Sequence, residues 1–214
     1  IIIGMQRIPT SFNEFTVKQF QEWQKVTAKS FDDVLDKELA LLSIAANMTV
    51  EEVWALTGDQ LKPLIAKLNT LAYSKPNEKV KKFIFVNHKA YQAIIKPSEL
   101  KDLLNTSQYT AFKEYTKKDC IENMHLILPL LYCPCKFLRK KRIADNTQAL
   151  SREFLEAKIG DVYGAVFFYS IVWEKLNEAS LPYLKKAKET LEAHMEEVIK
   201  ALEEGSETHT AGTI

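Results

Sequence analysis

Over most of the chain the apolar residues return every three or four positions, the spacing that puts them on one face of a helix. Val17, Phe20, Trp23 and Ala28 do so behind Thr16, which with Gln19 makes a capping box, and they predict a helix over 17–28. Val34, Leu35, Leu39, Leu42, Ile44 and Ala45 predict a second, favoured at its start by the charges of Asp32 and Asp33 and ending near Asn47. Thr49 and Glu52 form another capping box ahead of a short helix over 50–56, which Thr57-Gly58-Asp59 closes. Asp59 is expected to cap the next helix, with Pro63 in its first turn and Leu64, Ile65, Leu68 and Leu71 on its buried face.

The period changes from helix to strand between Val80 and Ile95. Val80, Phe83, Phe85, Tyr91, Ile94 and Ile95 supply β-branched and aromatic residues on either side of Asn87-His88, a turn pair, so this stretch predicts one β-hairpin. Helical patterns resume over 99–104, 108–116 and 120–132, the last apolar nearly all round and expected to kink at Pro129. Cys133-Pro134-Cys135 breaks it. Two more helices are predicted over 148–158 and 159–177, with Gly164 allowing close approach of a neighbour. Over 185–204 charges dominate, and only Ala187, Leu191, Met195, Val198 and Leu202 keep an apolar seam. The predicted fold is mainly α: a multi-helix body over 1–184 with one inserted β-hairpin at about residues 80–95, a long charged C-terminal helix, and a disordered tail over 205–214.

Composition agrees with a folded, helix-rich protein. Of 214 residues 46% are hydrophobic and 27% charged, and six glycines are few for the length. With 29 basic and 28 acidic residues the net charge is +1, which argues against bulk nucleic-acid binding. Cys120, Cys133 and Cys135 are an odd number without framework spacing, so free thiols in a reducing compartment are expected. The opening IIIGMQRIPT lacks the charged and long apolar regions of a signal peptide. The longest apolar run, Val162 to Trp173, falls short of the roughly 20 residues that span a bilayer, and no membrane contact is expected.

Candidate chemistry is sparse. The paired thiols Cys133 and Cys135 have only Cys120 and His125 nearby, at a spacing that matches no zinc pattern. The four histidines are scattered, and neither GxxxxGK[ST] nor GxGxxG occurs. No catalytic residue, metal ligand or cofactor is therefore assigned. The stretch 42–56 has the outline of a helix-turn-helix, but Glu51 and Glu52 on its second helix would repel phosphates. Lys136, Arg139, Lys140, Lys141 and Arg142 form the one basic cluster, read as a solvated connector or, in an alternative reading, a nucleic-acid contact.

The stretches IPTSFNEFTVKQFQEWQKV, ALLSIAANMTVEEVWALTGDQLKPLIAKLNTL, KPSELKDLLNTSQYTAFKEY after the hairpin, and DVYGAVFFYSIVWEKLNEASLPYL cover roughly Ile8 to Leu184. In their order and spacing the chain resembles virion-assembly proteins of tailed phages that infect gut Bacteroidetes, including crAss-like phages. The resemblance implies a non-enzymatic protein, made in the bacterial cytoplasm and working in the virion through copies of itself and neighbouring portal or tail proteins. A ring or adaptor subunit is one such role, and a tail-assembly chaperone that leaves before the particle is finished is another. The surfaces expected to make these contacts are the hairpin, through Phe83, Phe85, Tyr91 and Ile94, and the C-terminal helix, through Leu191, Met195, Val198 and Leu202.

Overall fold

The computed structural model describes residues 8–94, 104–135 and 147–171. Helix α1 (Val17–Ala28) begins at Thr16, whose hydroxyl accepts the Gln19 N–H at 3.2 Å while the Gln19 carboxamide oxygen accepts the Thr16 N–H at 3.0 Å. Two further amides of its first turn, which no helical carbonyl can reach, are taken up by the chain's later part: Val17 N–H donates to Ala157 O and Lys18 N–H to Leu155 O. Helix α2 (Val34–Ala46) is capped by the Asp33 carboxylate. It ends at Asn47, whose φ of 53° is the left-handed conformation that lets Met48 N–H turn back onto Ser43 O. Helix α3 (Val50–Trp54) starts at the Thr49/Glu52 capping box.

Helix α4 (Gly58–Ala72) starts earlier than the sequence implied. Thr57, not Asp59, is its cap, because Gln60 reaches back to accept the Thr57 N–H at 2.9 Å. Gly58 is thus the first helical residue and not a terminator, and Pro63 lies in the second turn. Helix α5 (Thr106–Lys117) is capped by Asn105 in another reciprocal box with Gln108.

A three-stranded antiparallel sheet of order β1-β2-β3 stands among these helices. β1 (Phe83–Val86) and β2 (Lys89–Ala93) are the predicted hairpin, joined by Asn87 and His88 with φ of 47° and 62°. Positive φ at both central residues is the mark of the tight two-residue turn whose twist suits a hairpin. The third strand was not foreseen. The apolar helix α6 (Met124–Leu131) stops before Tyr132, and the chain continues as β3 (Tyr132–Pro134) along the free side of β2. Residues 132–134 were expected to extend and then break the helix; they are strand because β2 offers unpaired backbone groups there.

Helix α6 is central, in keeping with a pattern apolar nearly all round, with Met124, Ile127, Leu128, Pro129, Leu130 and Leu131 all buried. Helix α7 (Thr147–Phe154) packs on it, and a helix over 159–171, α8, follows a short break. The N-terminal segment closes the body with Phe12, Phe15, Phe20 and Trp23 in edge-to-face contacts at 5.4–5.8 Å, and Phe20 meets Tyr163 of α8 at 5.9 Å. Gly164 on α8 lies against the backbone of Glu78 and Lys79, where a methyl group would overlap the Lys79 carbonyl. Gln21 of α1 spans to the turn before α6, where its amide group meets the carbonyls of Ile121 and Glu122 and His125 Nδ1 at 2.8–3.0 Å. By chain contacts the protein divides into residues 1–170 and 171–214, and the expected C-terminal helix and tail lie outside the described residues.

Candidate interaction surface

Alternation along the hairpin gives the sheet two unlike faces. Ile84 and Val86 of β1, with Tyr91 and Ala93 of β2, point into the body and are buried. Phe83 and Phe85 point the other way and are 53% and 73% exposed. Ala90 and Gln92, their partners across the hairpin, continue the same outer face.

The backbone has the same two-sidedness. Ala93 N–H donates to Lys82 O at 2.8 Å, so in the observed register Ile84 and Val86 also exchange hydrogen bonds with β2, while Phe83 and Phe85 do not. β2 in turn bonds β3 through its even-numbered residues, as in Ile94 N–H to Leu131 O and Cys135 N–H to Ala90 O. The N–H and C=O groups of Phe83 and Phe85 therefore face outward from the edge of the sheet, with no partner among the described residues. β1 is an open edge that carries two aromatic side chains.

The hairpin is held from behind through β2. Glu153 of α7, with only 12% of its side chain exposed, accepts the Tyr91 hydroxyl at 2.9 Å and Lys89 Nζ at 2.8 Å. Burial, and then the hydrogen bond and charge of Glu153, push the Tyr91 phenol well above its ordinary range, so it stays a donor. Tyr91 also packs on Phe154 at 5.1 Å. Ahead of β1, Lys81 pairs with Asp161 of α8, whereas Lys82 lies over the Phe83 ring at 5.6 Å.

The expected contact residues thus separate. Phe83 and Phe85 are on the surface. Tyr91 and Ile94 are not: each is 1% exposed, Tyr91 tied to Glu153 and Ile94 bonded through its carbonyl to Tyr169, so both are core residues that support the strand. Leu191, Met195, Val198 and Leu202, and the basic cluster Lys136, Arg139, Lys140, Lys141 and Arg142, lie outside the described residues.

A second exposed apolar set escaped the sequence reading. Val50 and Trp54, one turn apart on α3, are 44% and 57% exposed, while Val53 between them is buried. A five-residue helix can bury one row of side chains, and the capping box that fixes its start also decides which row. Glu51 and Glu52 are exposed on the same helix, in keeping with an unfavourable surface for phosphates.

The thiols do not converge on a ligand site. Cys133 is buried in β3, Cys135 is exposed after it, and Cys120 is half-buried with its thiol pushed up by burial and by Asp119. Among the described residues no three His, Cys, Asp or Glu side chains are grouped to hold a metal, and no helix is long and apolar enough to cross a membrane. An open depression of about 260 Å³ between α5, α6 and α7 has Tyr115 as its single titratable side chain among the described residues. No protein-family model, curated protein or solved structure matches the chain.

Proposed function

We propose that this chain is a non-enzymatic structural protein of a phage virion, a ring or adaptor subunit that works by contact with copies of itself and with neighbouring portal or tail proteins. The phage setting rests on the sequence resemblance. The mode of action rests on one observation: a strand edge open among the described residues with Phe83 and Phe85 exposed beside it, the hairpin braced from behind by the contact of Tyr91 and Lys89 with Glu153. Exposed aromatic residues on a rigid support are what an interface core uses, since they bury much area at little cost in side-chain freedom. Soluble proteins usually blunt an open strand edge; here lysines flank it but aromatic residues occupy its centre.

Light scattering after size exclusion, over a concentration series and at two salt concentrations, tests the reading. The expected result is self-association that survives moderate salt, together with the chain's presence in purified particles. A monomer missing from finished particles would instead favour a tail-assembly chaperone. Binding to nucleic acid that falls steeply with salt would favour an accessory role for the basic cluster at 136–142.

A further inference from the structure

We propose that β1 is completed by β1 of a second copy of this chain, running antiparallel across a two-fold axis at Ile84, so that two three-stranded sheets join into one of six strands. The inference deepens the reading above in its claim of contact between copies, and does not depend on the phage setting.

Three features select this occupant. The backbone groups that no described residue pairs on this edge belong to Phe83 and Phe85, two positions apart, which is the set that one antiparallel partner strand satisfies. A two-fold contact needs a self-complementary patch, and Phe83-Ile84-Phe85 reads the same in both directions. With Ile84 opposite its own copy, Phe83 stands opposite the partner's Phe85 and Phe85 opposite the partner's Phe83. Both pairs then exchange hydrogen bonds and bring rings together on the outer face. Shifting the register by two residues either way leaves a single aromatic pair.

The charges fit the same register. Lys81 falls opposite the partner's Asn87 and Lys82 opposite the partner's Val86, so no lysine faces a lysine. A parallel, in-register stack would align both lysines with their copies and is opposed by their repulsion. The lysines therefore permit a closed pair and resist open-ended stacking. A contact of so few residues is small beside stable interfaces, so the dimer should be weak and its population should depend on concentration.

Sedimentation velocity of the full chain over a wide concentration range, with three variants, tests the proposal. Phe85→Lys removes both aromatic pairs and puts a charge in the contact. Phe85→Pro removes an outward N–H that β2 does not use, so the hairpin's own ladder keeps its bonds. Trp54→Lys alters an exposed apolar residue away from the hairpin and is the control. The expected result is a monomer–dimer equilibrium in the wild type, unchanged in Trp54→Lys and weakened at least about tenfold in both Phe85 variants, with circular dichroism unaltered. Self-association that persists in both folded Phe85 variants overturns the strand pairing and leaves the contact reading in place. A wild type that is monomeric throughout also overturns it, whereas the contact reading is decided separately by the chain's presence in purified particles.

Discussion

Two glycines carry opposite consequences for the same substitution. At Gly164 an added methyl group would land on the Lys79 carbonyl and close to the Glu78 carbonyl, which are backbone atoms and cannot swing aside. Gly164→Ala must therefore push α8 away from the segment leading into β1, and overpacking of this kind costs about 1–3 kcal/mol. At Gly58, the first residue of α4, nothing lies within 4 Å of the added carbon. Gly58→Ala should stabilise by about 0.4–1 kcal/mol, because it restricts the unfolded chain without crowding the folded one. Urea unfolding of the two variants checks both signs, and a stable Gly164→Ala protein would mean that the 78–79 segment does not pack as described. A third residue-level expectation concerns Tyr91. Tyr91→Phe leaves one oxygen of the nearly buried Glu153 carboxylate without its donor, and should cost about 1–3 kcal/mol while Phe154 keeps its ring contact.

At the scale of elements, the turn of the hairpin contains a local misfit. His88 sits at φ 62°, a left-handed conformation that costs any residue with a Cβ, and its side chain is exposed. His88→Gly would give Asn-Gly, the pair best suited to this turn, and should raise stability by about 0.5–1 kcal/mol in thermal or urea unfolding. Loss of stability would show that His88 makes a favourable contact worth more than the strain. The turn and the helix starts at Thr16 and Thr49 were legible because side-chain chemistry within three or four residues determines them. β3 was not legible. Tyr132-Cys133-Pro134 is too short to display a period, and its conformation is set by β2, forty residues earlier in the chain. The start of α4 was misplaced although its signal is local: Thr57 and Gln60 are spaced as a capping box like those at Thr16 and Thr49, whereas Asp59 has Lys62 at that position, which cannot accept. The hairpin was visible in its β-branched and aromatic residues, but these do not say which side chains point inward. Phe83, Phe85, Tyr91 and Ile94 all look like candidates for contact, until the packing of α7 buries Tyr91 and leaves both phenylalanines outside.

Across the whole molecule, one polar contact joins the N-terminal helix to the central one. Gln21, itself buried, places its amide group against two carbonyls at the head of α6 and against His125 Nδ1. The neutral imidazole can accept there, whereas a protonated one would turn an N–H toward the Gln21 amide hydrogens. Burial foremost, and then the Lys25 ammonium, hold His125 below its usual range, while a hydrogen bond with the Glu122 backbone works the other way. Since the folded state takes up this proton less readily than the unfolded chain, the contribution of His125 is complete above about pH 6.5 and is lost as pH falls below that value. Lys25 is also paired with Glu122 at 3.8 Å, but both are well exposed and that pair should matter little. Melting temperatures measured from pH 8 to pH 5 should therefore fall for the wild type across the lower half of that range, before most carboxylates titrate. His125→Asn keeps an acceptor near Nδ1 but cannot be protonated, so its curve should be flatter over the same interval. Parallel curves for the two proteins would mean that His125 takes up its proton equally well folded and unfolded, and that the link from α1 to α6 tolerates the charge.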